Sequence, residues 1–165
     1  MDTSSTTFAA APLDRTARIV TASVWGLTGL FVLVGLGITA SVSPAPGLVL
    51  LAVGVLLVVP IAWMRRVEPR AYVVEDDVLS IRRRSASPRR FVGPLRNGRR
   101  GRLGWRVAGD GGGYGYLGRY RAEGRTVSAF VTDRARVVLL EVGGAGLAVS
   151  PVDPNGFLAT VADGT

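Results

Sequence analysis

From Ile19 to Met64 the chain carries no charged residue. Residues 19–40 form an apolar run of 22, about 33 Å long as a helix, which matches a hydrocarbon core of about 30 Å. Residues 47–64 form a second run of 18. Between them lies Ser41-Val42-Ser43-Pro44-Ala45-Pro46, whose two prolines break the helical pattern. Lipid offers no hydrogen bonds to bare backbone, so the pattern predicts a transmembrane hairpin of two antiparallel helices. A cleaved signal peptide ending near Ser41 is the competing reading. The first run is longer than an ordinary signal core, which disfavours it. Gly26, Gly29, Gly35 and Gly37, and the Ala22/Gly26 spacing, read as ordinary membrane-helix composition. No ionisable residue lies within either run, so no ion or proton path is predicted.

After Met64 the apolar period changes from helical to two. Tyr72 and Val74 alternate with Val73 and Glu75, and Leu79 and Ile81 with Ser80 and Arg82. The Glu75-Asp76-Asp77 turn joins these runs into a predicted hairpin. Leu103, Trp105 and Val107 read as one face of a strand, and Tyr116 and Tyr120 as one face of another. Val127, Ala129 and Val131 mark a third, and the nearly continuous apolar run 136–142 reads as a central strand that Gly143-Gly144 turns into Leu147–Ser150. At the end, Asp153-Pro154 is a helix start, with Phe157, Leu158 and Val161 on one face of the helix.

Charge adds a second partition. The net charge is +8, and the chain has no Cys, His or Lys, so every basic residue is Arg. Disulfides, Cys/His zinc sites, imidazole catalysis and lysine chemistry are thereby excluded. Ten arginines and no acid lie between Arg82 and Arg106, so the remainder nets −2. Arg15 and Arg18 precede the first run, Arg65, Arg66 and Arg70 follow the second, and the connecting loop is uncharged. The positive-inside rule then predicts both termini in the cytoplasm.

Candidate chemistry is sparse. Gly113-x-Gly115-x-x-Gly118 has dinucleotide-fingerprint spacing, but a strand and turn follow it where that motif requires a helix, so the glycines are read as permitting a bend. Glu75, Asp76 and Asp77 are turn residues, Asp133 with Arg134 reads as a structural pair, and Asp153 is a cap. With no nucleophile beside a base, no catalytic, cofactor-binding or metal-binding residue is assigned, and the protein is read as a non-enzyme with no cofactor.

The hairpin Tyr72-Val73-Val74…Leu79-Ser80-Ile81 and the stretch Gly113-Tyr114-Gly115-Tyr116-Leu117-Gly118-Arg119-Tyr120 carry a resemblance. It extends to Thr132-Asp133-Arg134 before Val137–Glu141, and to Ser150-Pro151-Val152-Asp153-Pro154-Asn155-Gly156-Phe157. The chain resembles the bacterial pleckstrin-homology-like (PH-like) domain proteins, in which two transmembrane helices precede the domain. The resemblance implies a bent β-barrel or sandwich of about seven strands closed by a C-terminal helix. It departs at Arg83–Arg102, which is longer and more basic than the family pattern.

Together these readings give a disordered cytoplasmic N-terminus over 1–18, a two-helix hairpin over 19–64 and a linker over 65–70. A PH-like domain over 71–163 follows, with a mobile basic loop at 82–106. The candidate contact to anionic lipid or another polyanion is Arg82, Arg83, Arg84, Arg89, Arg90, Arg96, Arg99, Arg100 and Arg102. Arginines near the surface of an anionic leaflet contribute on the order of 1 kcal/mol each. The linker, at most about 20 Å long, keeps the domain within reach of that surface. The expected partners are the lipids of the inner leaflet, with a protein partner or a second copy of the chain also compatible. The expected location is the inner membrane. The alternative is a membrane-tethered nucleic-acid binder using the same arginines with Phe91 or Trp105 for stacking, which lacks repeated aromatic–basic interleaving. Because the acidic turn Glu75-Asp76-Asp77 stands where eukaryotic PH domains carry a basic loop, no specific inositide pocket is expected. Ser85 and Ser87, inside the arginine run, are candidate phosphorylation sites.

Overall fold

The uncharged stretch forms two antiparallel helices, α1 (Arg15–Ser41) and α2 (Pro44–Val67). The computed structural model describes residues 5–41 and 44–163. Both helices exceed the apolar runs. Pro44 and Pro46 fall in the first turn of α2, where a missing N–H costs nothing, so they start the helix instead of holding it apart; the remainder of the expected break, residues 42 and 43, lies outside the described residues. Glycines form the seam. A Cβ at Gly47 would sit 2.0 Å from Thr39 Oγ1, and one at Gly35 would sit 3.0 Å from Leu51. Gly26, Gly29 and Gly37 have no such neighbour within 4 Å, so composition explains these three but not Gly35. Almost all the remaining apolar surface is open: Leu33, Leu56 and Val59 are 70, 69 and 65% exposed.

Ten strands among the described residues form two sheets, against about seven expected. The first sheet runs β1 (Thr6–Ala9), β2 (Pro69–Glu75), β3 (Val78–Arg83), β4 (Arg89–Val92), all antiparallel. The predicted hairpin is β2–β3, and Asp76 takes a positive φ of 43° in its turn. The second sheet has the order β5 (Leu95–Arg100), β9 (Val138–Val142), β10 (Ala145–Val149), β8 (Arg125–Val131), β7 (Tyr116–Ala122), β6 (Arg106–Gly111). Strand β10 pairs parallel with β8 and antiparallel with β9. Helix α3 (Pro154–Asp163) closes the domain, and Asp153 Oδ1 accepts from the amides of Asn155 (3.1 Å) and Gly156 (3.0 Å), as its sequence requires.

The central strands β9 and β10 of the second sheet are buried on both faces, which explains their near-continuous apolar sequence. One face, with Val138, Leu140, Val142, Leu147 and Val149, packs on Tyr72, Leu79, Ile81 and Phe157. The other, with Tyr116, Tyr120, Ala129, Val131 and Leu139, packs on Leu103 and on Ala17 at the start of α1.

Four expectations are corrected. The N-terminus is not disordered over 1–18: Thr6–Ala9 pair with Ala71–Val74, and Phe8 packs edge-on against Phe157 at 5.2 Å. The segment 82–106 is not one mobile loop: it supplies β4 and β5, where Phe91 and Leu95 pack into the core between the sheets. Residues 65–70 are not a separate linker, since α2 runs to Val67 and β2 starts at Pro69. Residues 101–105 lie outside any strand, so the predicted face of Leu103, Trp105 and Val107 does not form; Leu103 is buried and Trp105 is 66% exposed.

Candidate functional site

The domain is seated on the arginine-flanked ends of the helices. The chain passes through it before α1 and after α2, since β1 pairs with β2. The amide of Ala11 donates to Ser150 O at 2.8 Å, and Thr132 Oγ1 donates to Ala11 O at 2.6 Å. Asp14 then caps α1 by accepting from the amide of Ala17 at 2.7 Å. The same carboxylate accepts from Tyr116 Oη (3.2 Å) and from the Arg134 amide (3.2 Å). Burial, and secondarily the Asp14 charge, push the Tyr116 hydroxyl up to about 12. Arg134 does not pair with Asp133 as expected. It lies over the Tyr116 ring at 5.1 Å, while Asp133 caps the short 3-10 turn and meets Arg136 at 3.5 Å.

The glycine-rich stretch is the second contact. Residues 112–115 turn β6 into β7 with Tyr114 at φ 56°. The amide of Tyr114 donates to Thr21 Oγ1 at 3.2 Å, and Trp25 Nε1 donates to Tyr114 Oη at 2.8 Å. Gly113 lies against Met64, close enough that a Cβ would be 3.0 Å from its Sδ. Gly118 stands opposite Gly109, both at positive φ; a Cβ on Gly118 would meet Ala108 O at 2.3 Å. The glycines thus serve a tight hairpin against a helix pair, and no helix follows them for a pyrophosphate. Asp110, at the end of β6, accepts from the Gly113 amide at 3.2 Å through Oδ1. Burial raises its pKa, only partly offset by the Gly113 amide.

The nine predicted arginines do not form one surface. Arg84 is consumed by buried Glu68 (2.8 Å), which Arg70 also approaches (3.6 Å). Arg99 is paired with Glu123, in the turn at the other end of β7 from Tyr114. On the same strand β5, Arg96 stands opposite Glu141 and Arg100 donates to Asn155 Oδ1 at 3.1 Å. Arg102 lies beyond β5 and is exposed. Arg82, Arg83, Arg89 and Arg90 belong to β3 and β4. There the amide of Ser85 donates to Arg66 O at 3.1 Å, tying this edge to the end of α2. Of the topology arginines, Arg15 and Arg18 are in the first turn of α1 and Arg65 and Arg66 in the last of α2, all exposed. Phe91, a proposed stacking residue, is instead packed edge-on against Phe130 at 5.8 Å.

Sequence reasoning missed Asp14, Trp25, Trp63, Tyr114 and Arg119. The two tryptophans had a usable signal, because aromatic residues near the charged ends of apolar helices mark interfaces. Asp14 had none: its partners lie at least 100 positions away, apart from the α1 amide.

The sequence profile of the family described as Bacterial PH domain matches residues 70–163. The chain belongs to this family. Its PH-like domain is preceded by two helices long and apolar enough to cross a membrane, and PH-like domains are typically non-catalytic binding modules. No curated protein and no solved structure matches the chain. The described domain exceeds the matched stretch by β1 and by the start of α1.

Proposed function

We propose that this protein is a two-span inner-membrane protein with both termini cytoplasmic, whose PH-like domain is a non-enzymatic binding module held against the anionic leaflet. One observation carries the reading: the domain takes in chain from both sides of the hairpin and docks its 112–115 turn on Thr21, Trp25 and Met64. Such a domain has no freedom to leave the helix ends. Arg15, Arg18, Arg65, Arg66 and Arg70 share that end, the opposite end is uncharged, and the positive-inside bias therefore supports a cytoplasmic domain. The open apolar surface of α1 and α2 is what a bilayer would cover, and Trp25 and Trp63 suit its headgroup boundary. Arg82, Arg83, Arg89 and Arg90, on the edge tied to α2, support lipid contact better than the paired arginines do.

The natural chain has no cysteine, so Ser41→Cys and Ala162→Cys give single labelling sites. A membrane-impermeant maleimide applied to intact cells is expected to label Ser41→Cys and to leave Ala162→Cys untouched until lysis. Labelling of Ala162→Cys from outside would overturn the orientation.

A further inference from the structure

Where α2 ends, the two sheets part around a cavity of about 580 Å³, within the size range of small-ligand sites. Its roof is the last turns of α2, with Trp63, Met64 and Val67. Strand register fixes what the walls present. Arg89 stands opposite Ile81, which stands opposite Tyr72, and Ile81 and Tyr72 are fully buried between the sheets. Alternation puts Arg83 on that same inward face. Across the gap Arg119 pairs with Ser128 and Leu117 with Phe130, and Phe130 meets Phe91 from the first sheet. Arg83, Arg89 and Arg119 therefore border one gap from opposite sides, beneath an aromatic roof.

None of the three makes an ion pair among the described residues. Arg83 donates both Nε (2.8 Å) and Nη2 to Ser87 O, which fixes the guanidinium before any ligand arrives and leaves the forks of Arg89 and Arg119 for a ligand. Asp110, the acid at the margin of the cavity, accepts from the Gly113 amide through Oδ1 and has Oδ2 buried. Three like charges around one space favour an anion between them, and guanidinium forks suit phosphate oxygens. The roof says which kind of anion. Trp63 is 65% exposed and continues the open apolar surface of α2, so the cavity joins an arginine-lined mouth to a greasy exit.

We propose that this cavity binds one anionic phospholipid, its phosphate among Arg83, Arg89 and Arg119 and its acyl chains leaving past Trp63 along α2. This rests on the reading that α1 and α2 lie in a bilayer, but not on which side the domain faces. Labelling of Ala162→Cys from outside would reverse the orientation and leave the lipid result standing, so the two failures are distinguishable.

The test uses the full chain in neutral detergent, with bound lipid counted by native mass spectrometry. One phosphatidylglycerol is expected to remain at concentrations where phosphatidylcholine is lost. Arg89→Gln and Arg119→Gln should each weaken retention about tenfold, the usual scale for one charge-assisted hydrogen bond. Arg125→Gln, on β8 outside the cavity, should leave it unchanged, and unaltered thermal midpoints would show that the variants fold. Equal retention of the two lipids would overturn the proposal, as would full retention by the Arg89→Gln/Arg119→Gln double variant. Displacement by glycerol 3-phosphate at the same concentration as the lipid would also overturn it, in favour of a soluble anion.

Discussion

Tyr72 shows how much one buried hydroxyl organises. It is fully buried, donates to Phe130 O at 2.7 Å and accepts from the Ser150 amide at 3.2 Å, so it joins β2 to β8 and to the end of β10. Burial pushes its pKa from the ordinary 10.0 up to about 12, against the opposing pull of Ser150. Tyr116 is raised to a similar value. Above pH 10 the unfolded chain gives up protons that the folded chain keeps. These groups therefore cost nothing below pH 10, and stability falls as pH climbs from about 10 to about 12. Denaturation midpoints measured from pH 8 to 12 should show this decline, with Tyr72 contributing up to about 1.4 kcal/mol per pH unit. Tyr72→Phe should lower neutral stability by about 1–2 kcal/mol through its lost hydrogen bonds while flattening the alkaline slope. An unchanged slope in that variant would contradict the assignment.

At the scale of elements, α1 and α2 are paired by glycines that periodicity alone does not distinguish from the others. Gly47 and Gly37 look alike in sequence, yet only Gly47 has backbone of the facing helix within 3 Å of its missing side chain. Gly47→Val should destabilise the hairpin by about 1–3 kcal/mol, the range for overpacking, and lower the thermal midpoint in detergent. Gly37→Val should be silent by the same measurement, and equal effects would mean the seam lies elsewhere. The arginine-rich segment teaches a related lesson. Its Ser, Pro, Asn and Gly residues suggest a loop, but Phe91 and Leu95 supply the buried contacts that bring β4 and β5 into the two sheets. Tertiary burial outweighs local composition there. The same packing divides the arginines between ion pairs, sheet edges and the cavity under α2, a division that depends on strand register and so was not legible as a run of charge.

The whole molecule is an interleaved object, and this limits how it can be cut. A fragment beginning at Arg65 lacks β1, the Ala11 bonds to Thr132 and Ser150, and the cover that Leu13 and Ala17 give the second sheet. Residues 65–165 alone should bind a hydrophobic dye and unfold at lower temperature than the full chain, and a peptide of residues 5–18 should reverse both effects. A fragment as stable as the intact protein would show that β1 is dispensable. Much of the architecture was readable beforehand. Lengths of uncharged sequence determined the two helices, alternation determined the β2–β3 hairpin and the strands β7 and β8, a continuous apolar run with the Gly143-Gly144 turn determined β9 and β10, and Asp153-Pro154 determined the start of α3, because each signal is local. Only the tertiary structure decided that Thr6–Ala9 is a strand, that Asp14 joins α1 to β7, and that Arg83, Arg89 and Arg119 face one space. Those depend on contacts between residues far apart in sequence, for which the short segment Thr6-Thr7-Phe8-Ala9 or a single carboxylate or arginine carries no periodic mark.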